Sequence, residues 1–418
     1  MRIVLPYGQD EQIPVDIPRE NLFFTVGRQK MTTLRDPKDV VRRSVGEALT
    51  RFKAMARTEK TVILVDDLTR PTPQRVVLPI LVDELSKRNI QERSITVIIA
   101  LGTHREMTEK EIKERYGDAI TEQVAVVNHE WRDESSLIHM GKTESGIPIS
   151  VNKMVYDADF VVGVGNIAPH NFAGWGGGGK IVLPGVCGEQ TTGMTHVTGG
   201  KVRPIMKLAG NVENVVRREI DEVAERVGLN LIVNTILNEE DKIADVVAGE
   251  PIQTFRTGVK IASDAYRPRI PGLADVIIFS TYPADIDYWQ AMKALDFACT
   301  AVRPGGAIVL ITPCPEGISP THATFKDRAR QHFDDHIRAI KNGEIEDLPV
   351  GGALLQHSQI LERAKIICYS EGLTNSDKEA LGFIEASTPE EAVDMALREQ
   401  GRKAKIGVLK CGEIVPRV

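Results

Sequence analysis

Between Gly163 and His196 the chain carries two histidines, His170 and His196, on either side of Lys180, which follows four consecutive glycines, Gly176 to Gly179. Such a run weakens helix and strand alike, but it lets backbone N–H groups come close to a phosphate. It therefore predicts a bound nucleotide with the lysine beside it. Two familiar motifs almost fit. Gly174 to Lys180 has the spacing of a phosphate-binding Walker loop, yet Ile181 follows where a magnesium-holding hydroxyl belongs. Gly163-x-Gly165-x-x-Ala168 is close to a dinucleotide fingerprint, yet Pro169 would break the helix that motif must open. Neither a plain nucleotidase nor a plain dehydrogenase is supported. The histidines are too far apart for a helical metal pair, so any metal site must be assembled by the fold. Cys187 reads as a small buried thiol rather than a metal ligand.

Three further clusters carry polar chemistry. After an apolar run at 61 to 65 comes Asp66-Asp67-Leu68-Thr69-Arg70-Pro71-Thr72-Pro73, in which Arg70 can clamp a carboxylate or phosphate and Asp67 can hold a hydroxyl. The competing reading is a helix N-cap at Asp67 or Thr72. After a second apolar run comes Gly102-Thr103-His104-Arg105, where the histidine has a pKa suited to proton transfer. Further on, Gln290 and Lys293 are three residues apart, share one helical face, and can reach a carboxylate across a cleft. The other histidines, His322 among them, show no usable pattern.

The elements that must position these groups read as an alternation. Short β-branched apolar runs, each followed by a segment of helical period, predict an α/β fold with mainly parallel sheets. Predicted strands cover Thr61 to Asp66, Ile95 to Leu101, Phe160 to Gly165, Leu229 to Ile236, Val276 to Ser280, Ile308 to Thr312 and Lys365 to Tyr369. Predicted helices include Asn211 to Val227, Pro251 to Tyr266 and Pro389 to Gln400. Arg267-Pro268-Arg269-Ile270-Pro271-Gly272 reads as a linker, giving an N-terminal α/β domain over 1–268 and a C-terminal one over 269–418. The acidic, glycine-bearing stretch 341–352 reads as an excursion of the second domain.

Composition narrows the function classes. A net charge of -6 with 26% charged residues leaves no basic footprint for nucleic acid. No secretory signal or membrane span is apparent, so a cytoplasmic location is expected. The 5 cysteines form no Cys-x-x-Cys pair, which argues against a disulfide framework or structural zinc.

Taken as an ordered set, DDLTRPTP at 66–73, GTHR at 102–105, PHNFAG at 169–174, GGK at 178–180, LPG at 183–185, His196 and the Gln290/Lys293 pair resemble the nickel-dependent lactate racemase family. The resemblance implies two α/β domains with the active site in the cleft between them, and an isomerase that racemises or epimerises a small 2-hydroxy acid by hydride transfer to and from a nickel-pincer nucleotide, a pyridinium-3,5-bisthiocarboxylic acid mononucleotide. It implies that Lys180 is covalently joined to that cofactor, that His196 is the protein's nickel ligand, and that His104 and His170 alternate as base and acid. Arg70, Gln290 and Lys293 would hold the substrate, and Asp67, Thr69, Gly177, Gly178 and Gly179 would lie at the cofactor. Proteins for cofactor synthesis and nickel insertion are the implied partners. Trp289 stands where a tyrosine is common, so malate, longer hydroxy acids and sugar acids stay open beside lactate. Two other readings compete: a phosphotransferase built on the GGGGK loop, which lacks a magnesium hydroxyl, and a non-catalytic carrier of nickel or nucleotide, for which two acid/base histidines have no use.

Overall fold

The computed structural model describes residues 1–8, 11–52 and 58–418. Two six-stranded sheets organise the chain. In the first, the strands run in the order Ile243–Gly249, Leu229–Leu237, Phe160–Asn166, Thr61–Val65, Ile95–Ile99, Ala125–Asn128, all parallel except the antiparallel edge at Ile243–Gly249. The chain leaves Thr61–Val65 toward one edge and returns at Phe160–Asn166 to build the other. In such open sheets the crevice at that reversal, at the carboxyl ends of the strands, is where ligands bind.

Alternation explains why these runs are strands. Ile63 and Val65 enter one core with Val41, Leu78 and Leu81, whereas Val62 and Leu64 enter another with Ile220, Val223 and Phe255. Helices Pro37–Leu49 and Gln74–Ser86 supply the first core, and Val215–Val227 and Pro251–Tyr266 supply the second. A strand buried on both faces must be apolar throughout, as TVILV is.

The second sheet is parallel throughout, in the order Ile384–Glu385, Ala364–Tyr369, Val302–Ile311, Ala274–Ser280, Ile406–Leu409, Leu22–Val26. Its last strand corrects the expected division of the chain at 268/269. Leu22–Val26 pairs with Ile406–Leu409, and the antiparallel hairpin Arg2–Tyr7/Glu11–Asp16 buries Ile3, Leu5 and Val15 against Val276, Ile278 and Val309. The first 26 residues thus complete the second domain, covering a sheet edge that would otherwise expose unpaired backbone.

The stretch 341–352 is also more than an excursion. From Leu348 it enters the helix Leu348–Arg363, which packs on the helix Glu189–Gly200. Glycines permit the close approach. A Cβ on Gly352 would lie 2.4 Å from the His196 carbonyl carbon, and one on Gly193 would lie 2.3 Å from Leu348 Cβ. Accordingly, Gly352→Ala should lower stability by about 1–3 kcal/mol through overpacking, despite alanine's better helix propensity. Gly351→Ala meets only side-chain atoms, of Ile340 at 3.2 Å and of Ile345 at 3.6 Å, and should cost less. Thermal melts of the two variants check the order.

Candidate active site

The carboxyl ends of both sheets face one cleft of about 1370 Å³, mouth included. From the first domain come Asp67, Thr69 and Arg70 after one strand, Thr103 and His104 after its neighbour, and His170, Gly177 and Lys180 after a third. His196 follows on the helix Glu189–Gly200. From the second domain, Trp289 and Lys293 project from the helix Tyr288–Cys299, which Asp287 caps by accepting the Gln290 N–H at 2.7 Å.

The fold brings the expected residues together and ranks them. His104 Nδ1 lies 2.7 Å from Asp67 Oδ2, and its Nε2 lies 2.9 Å from Gln290 Nε2. A carboxylate only accepts and an amide nitrogen only donates, so the ring carries its proton on Nδ1 and keeps Nε2 bare. Burial holds His104 below the ordinary histidine range, with Asp67 opposing and Lys293 and Arg70 assisting. Burial would raise Asp67, but His104 and then Arg70 hold it well below the usual carboxylate range. The N-cap reading of this segment fails: the helix Gln74–Ser86 has no side-chain cap, and Thr72 donates instead to Asp66. Asp67 is engaged by His104 and by Thr69, contacts that fix the orientation of the histidine ring.

Arg70, Gln290 and Lys293 form one polar group across the cleft. Arg70 Nη1 donates to Thr69 O at 2.9 Å and reaches Gln290 Oε1 at 3.4 Å, and Lys293 Nζ donates to that same oxygen. Burial, then Arg70 and Lys180, push Lys293 well below the lysine range. Lys180 is pushed down likewise by burial, Arg70 and Arg217. Burial of this kind favours the amine form of a lysine, which is its nucleophilic form.

The two remaining histidines differ in state. His196 Nδ1 donates to Thr192 O at 2.8 Å, which leaves Nε2 free, and burial pushes its pKa down to about 4. A neutral imidazole with its second nitrogen pinned to a carbonyl suits a metal ligand. Among the described residues no three His, Cys, Asp or Glu side chains converge as a metal set. His170 Nδ1 instead accepts the Ala173 N–H at 3.2 Å, so its neutral ring carries the proton on Nε2. Burial, Lys180 and Lys293 hold it well below the histidine range.

The glycine run needs correction. Gly177 lines the cleft, but Gly178 and Gly179 do not, because added Cβ atoms there would meet Phe255 at 2.8 Å and Ala224 at 2.7 Å. The Gly178 N–H is taken by Asn234 Oδ1 at 2.9 Å. Close packing on two helices, rather than phosphate contact, therefore accounts for Gly178 and Gly179. Buried Arg217 fastens the loop by donating to the carbonyls of Ala173, Trp175 and Gly177. Cys187 is a buried thiol donating to Val182 O at 3.3 Å, as expected.

Several cleft residues were not singled out from the sequence. Asn166 Nδ2, Thr192 Oγ1 and Glu413 Oε2 are buried and have no hydrogen-bond partner among the described residues, which leaves polar capacity for a ligand. Asn166 and Asn234 interrupt otherwise apolar strands, and Glu413 interrupts an apolar tail; those interruptions were the available signal.

Comparison with known proteins agrees with this arrangement. The lactate racemase N-terminal domain model matches residues 7–204 and the lactate racemase C-terminal domain model matches residues 272–415. The chain belongs to the lactate racemase family. The lactate racemase of Thermoanaerobacterium thermosaccharolyticum is 27% identical over 98% of this chain and 97% of its own length. That of Lactiplantibacillus plantarum is 27% identical over 87% and 86%. The structure of the lactate racemase apoprotein from Thermoanaerobacterium thermosaccharolyticum superimposes with a TM-score of 0.88 at 26% identity, covering 100% of both chains. A Thermotoga maritima protein at 16% identity and TM-score 0.74 shares the fold, over 93% of this chain and 99% of its own.

The dyad gives a direct test. Asp67 is what raises the His104 pKa against burial, so Asp67→Asn should lower it further. NMR titration of the His104 ring checks this, and an unchanged or raised value would show that the two side chains are not coupled.

Proposed function

We propose that this protein racemises or epimerises a small 2-hydroxy acid, with lactate, the substrate named for its relatives, as the first candidate. The observation that carries the reading is the Asp67–His104 dyad, whose bare Nε2 faces Gln290 beside Arg70 and Lys293. Arg70 and Lys293 would bind the substrate carboxylate, and displacing the Gln290 amide from His104 Nε2 would let that nitrogen accept the substrate's hydroxyl proton. His170 would protonate the same oxygen as the imidazolium: its ring must first take up a proton at Nδ1, so that giving up the Nε2 proton leaves a neutral imidazole with Nε2 bare. In the reverse direction the two exchange roles; the proton on His170 Nδ1, present in both directions, requires the His170–Ala173 contact to give way.

The α-hydrogen beside an ionised carboxylate is too weakly acidic for a histidine base alone, so inversion calls for removal of hydride. The residues fit a nickel-pincer nucleotide: a low-pKa amine at Lys180 for the covalent tether, the free Nε2 of His196 for nickel, and unpartnered Asn166 and Thr192 for polar contacts. When bound, such a group supplies an electron-poor ring carbon that accepts and returns hydride. The chain's own residues would hold the carboxylate, move the hydroxyl proton and exclude water. Loading would depend on cofactor-synthesis and nickel-insertion proteins, which suits a cytoplasmic enzyme; no described helix is long and apolar enough to cross a membrane.

In protein loaded by a host that makes the cofactor, His196→Ala should lose nickel, whereas His104→Ala and His170→Ala should keep it and lose turnover by about 100-fold or more. Metal analysis with kinetics separates these roles; equal nickel content in all three would sink the assignment. Intact mass should show Lys180 modified in active protein.

The route is tested by running the reaction in heavy water. The product's α-carbon should retain the substrate's hydrogen, with a primary isotope effect for α-deuterated substrate. Stoichiometric solvent deuterium at that carbon in each inverted molecule would rule out hydride removal.

A further inference from the structure

Three consecutive residues at the end of the strand Ile95–Ile99 each bond to the second domain. Thr103 Oγ1 lies 3.1 Å from His322 Nε2, His104 Nε2 lies 2.9 Å from Gln290 Nε2, and Arg105 Nη2 lies 2.6 Å from Glu316 Oε1. Only the middle contact belongs to the chemistry derived above. We propose that Thr103, His322 and Asp347 form a positioning relay that holds the turn carrying His104 against the second domain, fixing the base while substrate displaces Gln290. The proposal rests on the reading of His104 as the base.

His322 is buried, and its Nδ1 lies 2.8 Å from Asp347 Oδ2. Because the carboxylate only accepts, His322 carries a proton on Nδ1; in the neutral ring Nε2 is then bare and accepts the Thr103 hydroxyl. This repeats the polarity of Asp67–His104–Gln290 one residue away, but with a hydroxyl of the protein in place of the groups that meet substrate. Two further contacts tie the relay to the site. The His322 ring stacks on Trp289 with centroids 4.2 Å apart and planes at 22°, and Trp289 lines the cleft beside Gln290. Asp347 also accepts the Val350 N–H at 3.1 Å, capping the helix whose Gly352 abuts His196. One side-chain chain therefore runs from the base's turn to the helix packed against the candidate metal ligand.

The physical need is specific. Substrate binding must break the His104–Gln290 bond, which is itself an interdomain contact, at the moment when His104 has to stay in place. The Thr103–His322 bond is buried and separate, so it survives that exchange. A displacement of about 1 Å in a reacting group is enough to cost on the order of 100-fold in rate.

Thr103→Val keeps the shape and removes the donor, and Thr103→Ser restores it. In loaded enzyme, Thr103→Val should lower kcat by about 10- to 100-fold with KM changed less than about threefold, and Thr103→Ser should recover most of that loss. In apoprotein labelled at histidine, the slowly exchanging His104 Nδ1–H signal should weaken or vanish in Thr103→Val and return in Thr103→Ser. Wild-type kcat with an unchanged His104 signal would overturn the proposal, as would a lower melting temperature with full activity per folded molecule. Full racemisation by His104→Ala would instead remove the functional reading, and the His104 signal in the Thr103 variants would still decide whether the relay positions that ring.

Discussion

Arg70, Lys180 and Lys293 converge on one cleft, and Asp67, the strongly ionised carboxylate among them, is already committed to His104. That crowding of basic groups in a buried space shapes the rest of the site. Desolvation and mutual repulsion push the lysines toward the neutral amine and keep His170 and His196 unprotonated. A nucleophilic lysine and a neutral imidazole are the forms that covalent tethering and metal ligation require. The same basic groups favour anions such as a carboxylate or a phosphate.

Such a concentration of basic groups is tolerable only because the scaffold around it is rigid. Parallel strands apolar on both faces deliver Asp67, His104 and His170 from their carboxyl ends, and the second domain returns Gln290 and Lys293 from a helix N-terminus capped by Asp287. The glycines contribute by allowing contact rather than by binding. Gly178 and Gly179 seat the Lys180 loop on Phe255 and Ala224, while Gly193 and Gly352 let the His196 helix lie directly against its neighbour. Precision of this kind lies in the supporting residues, since a side chain can be no better placed than the backbone that carries it.

His104 shows how the domains share one function. Its tautomer is set by Asp67 in its own domain, its free nitrogen faces Gln290 in the other, and the residues on either side of it grip His322 and Glu316. Binding and orientation are thus coupled to the domain arrangement. Neither half holds the whole constellation.

The local sequence was sufficient for the α/β class, for the central strands of both sheets and for the chemistry-bearing clusters, because periodicity and strand-end polarity are properties of adjacent residues. TVILVD followed by DLTR, and ITVIIAL followed by GTHR, each state a strand and a polar end without reference to anything distant. What distant residues decide was not legible. Leu22–Val26 joins the second sheet because Ile406–Leu409 leaves an edge free for it, and Gly178 and Gly179 are glycine because Phe255 and Ala224 occupy the space. Thr103 and His322 meet across 219 residues of chain, so no spacing could announce them. Hydrogen-bond partners, tautomers and depressed lysine pKa values arise only when folding removes water and brings charges together, and for that reason the sequence named the candidate residues while the tertiary structure alone fixed their states.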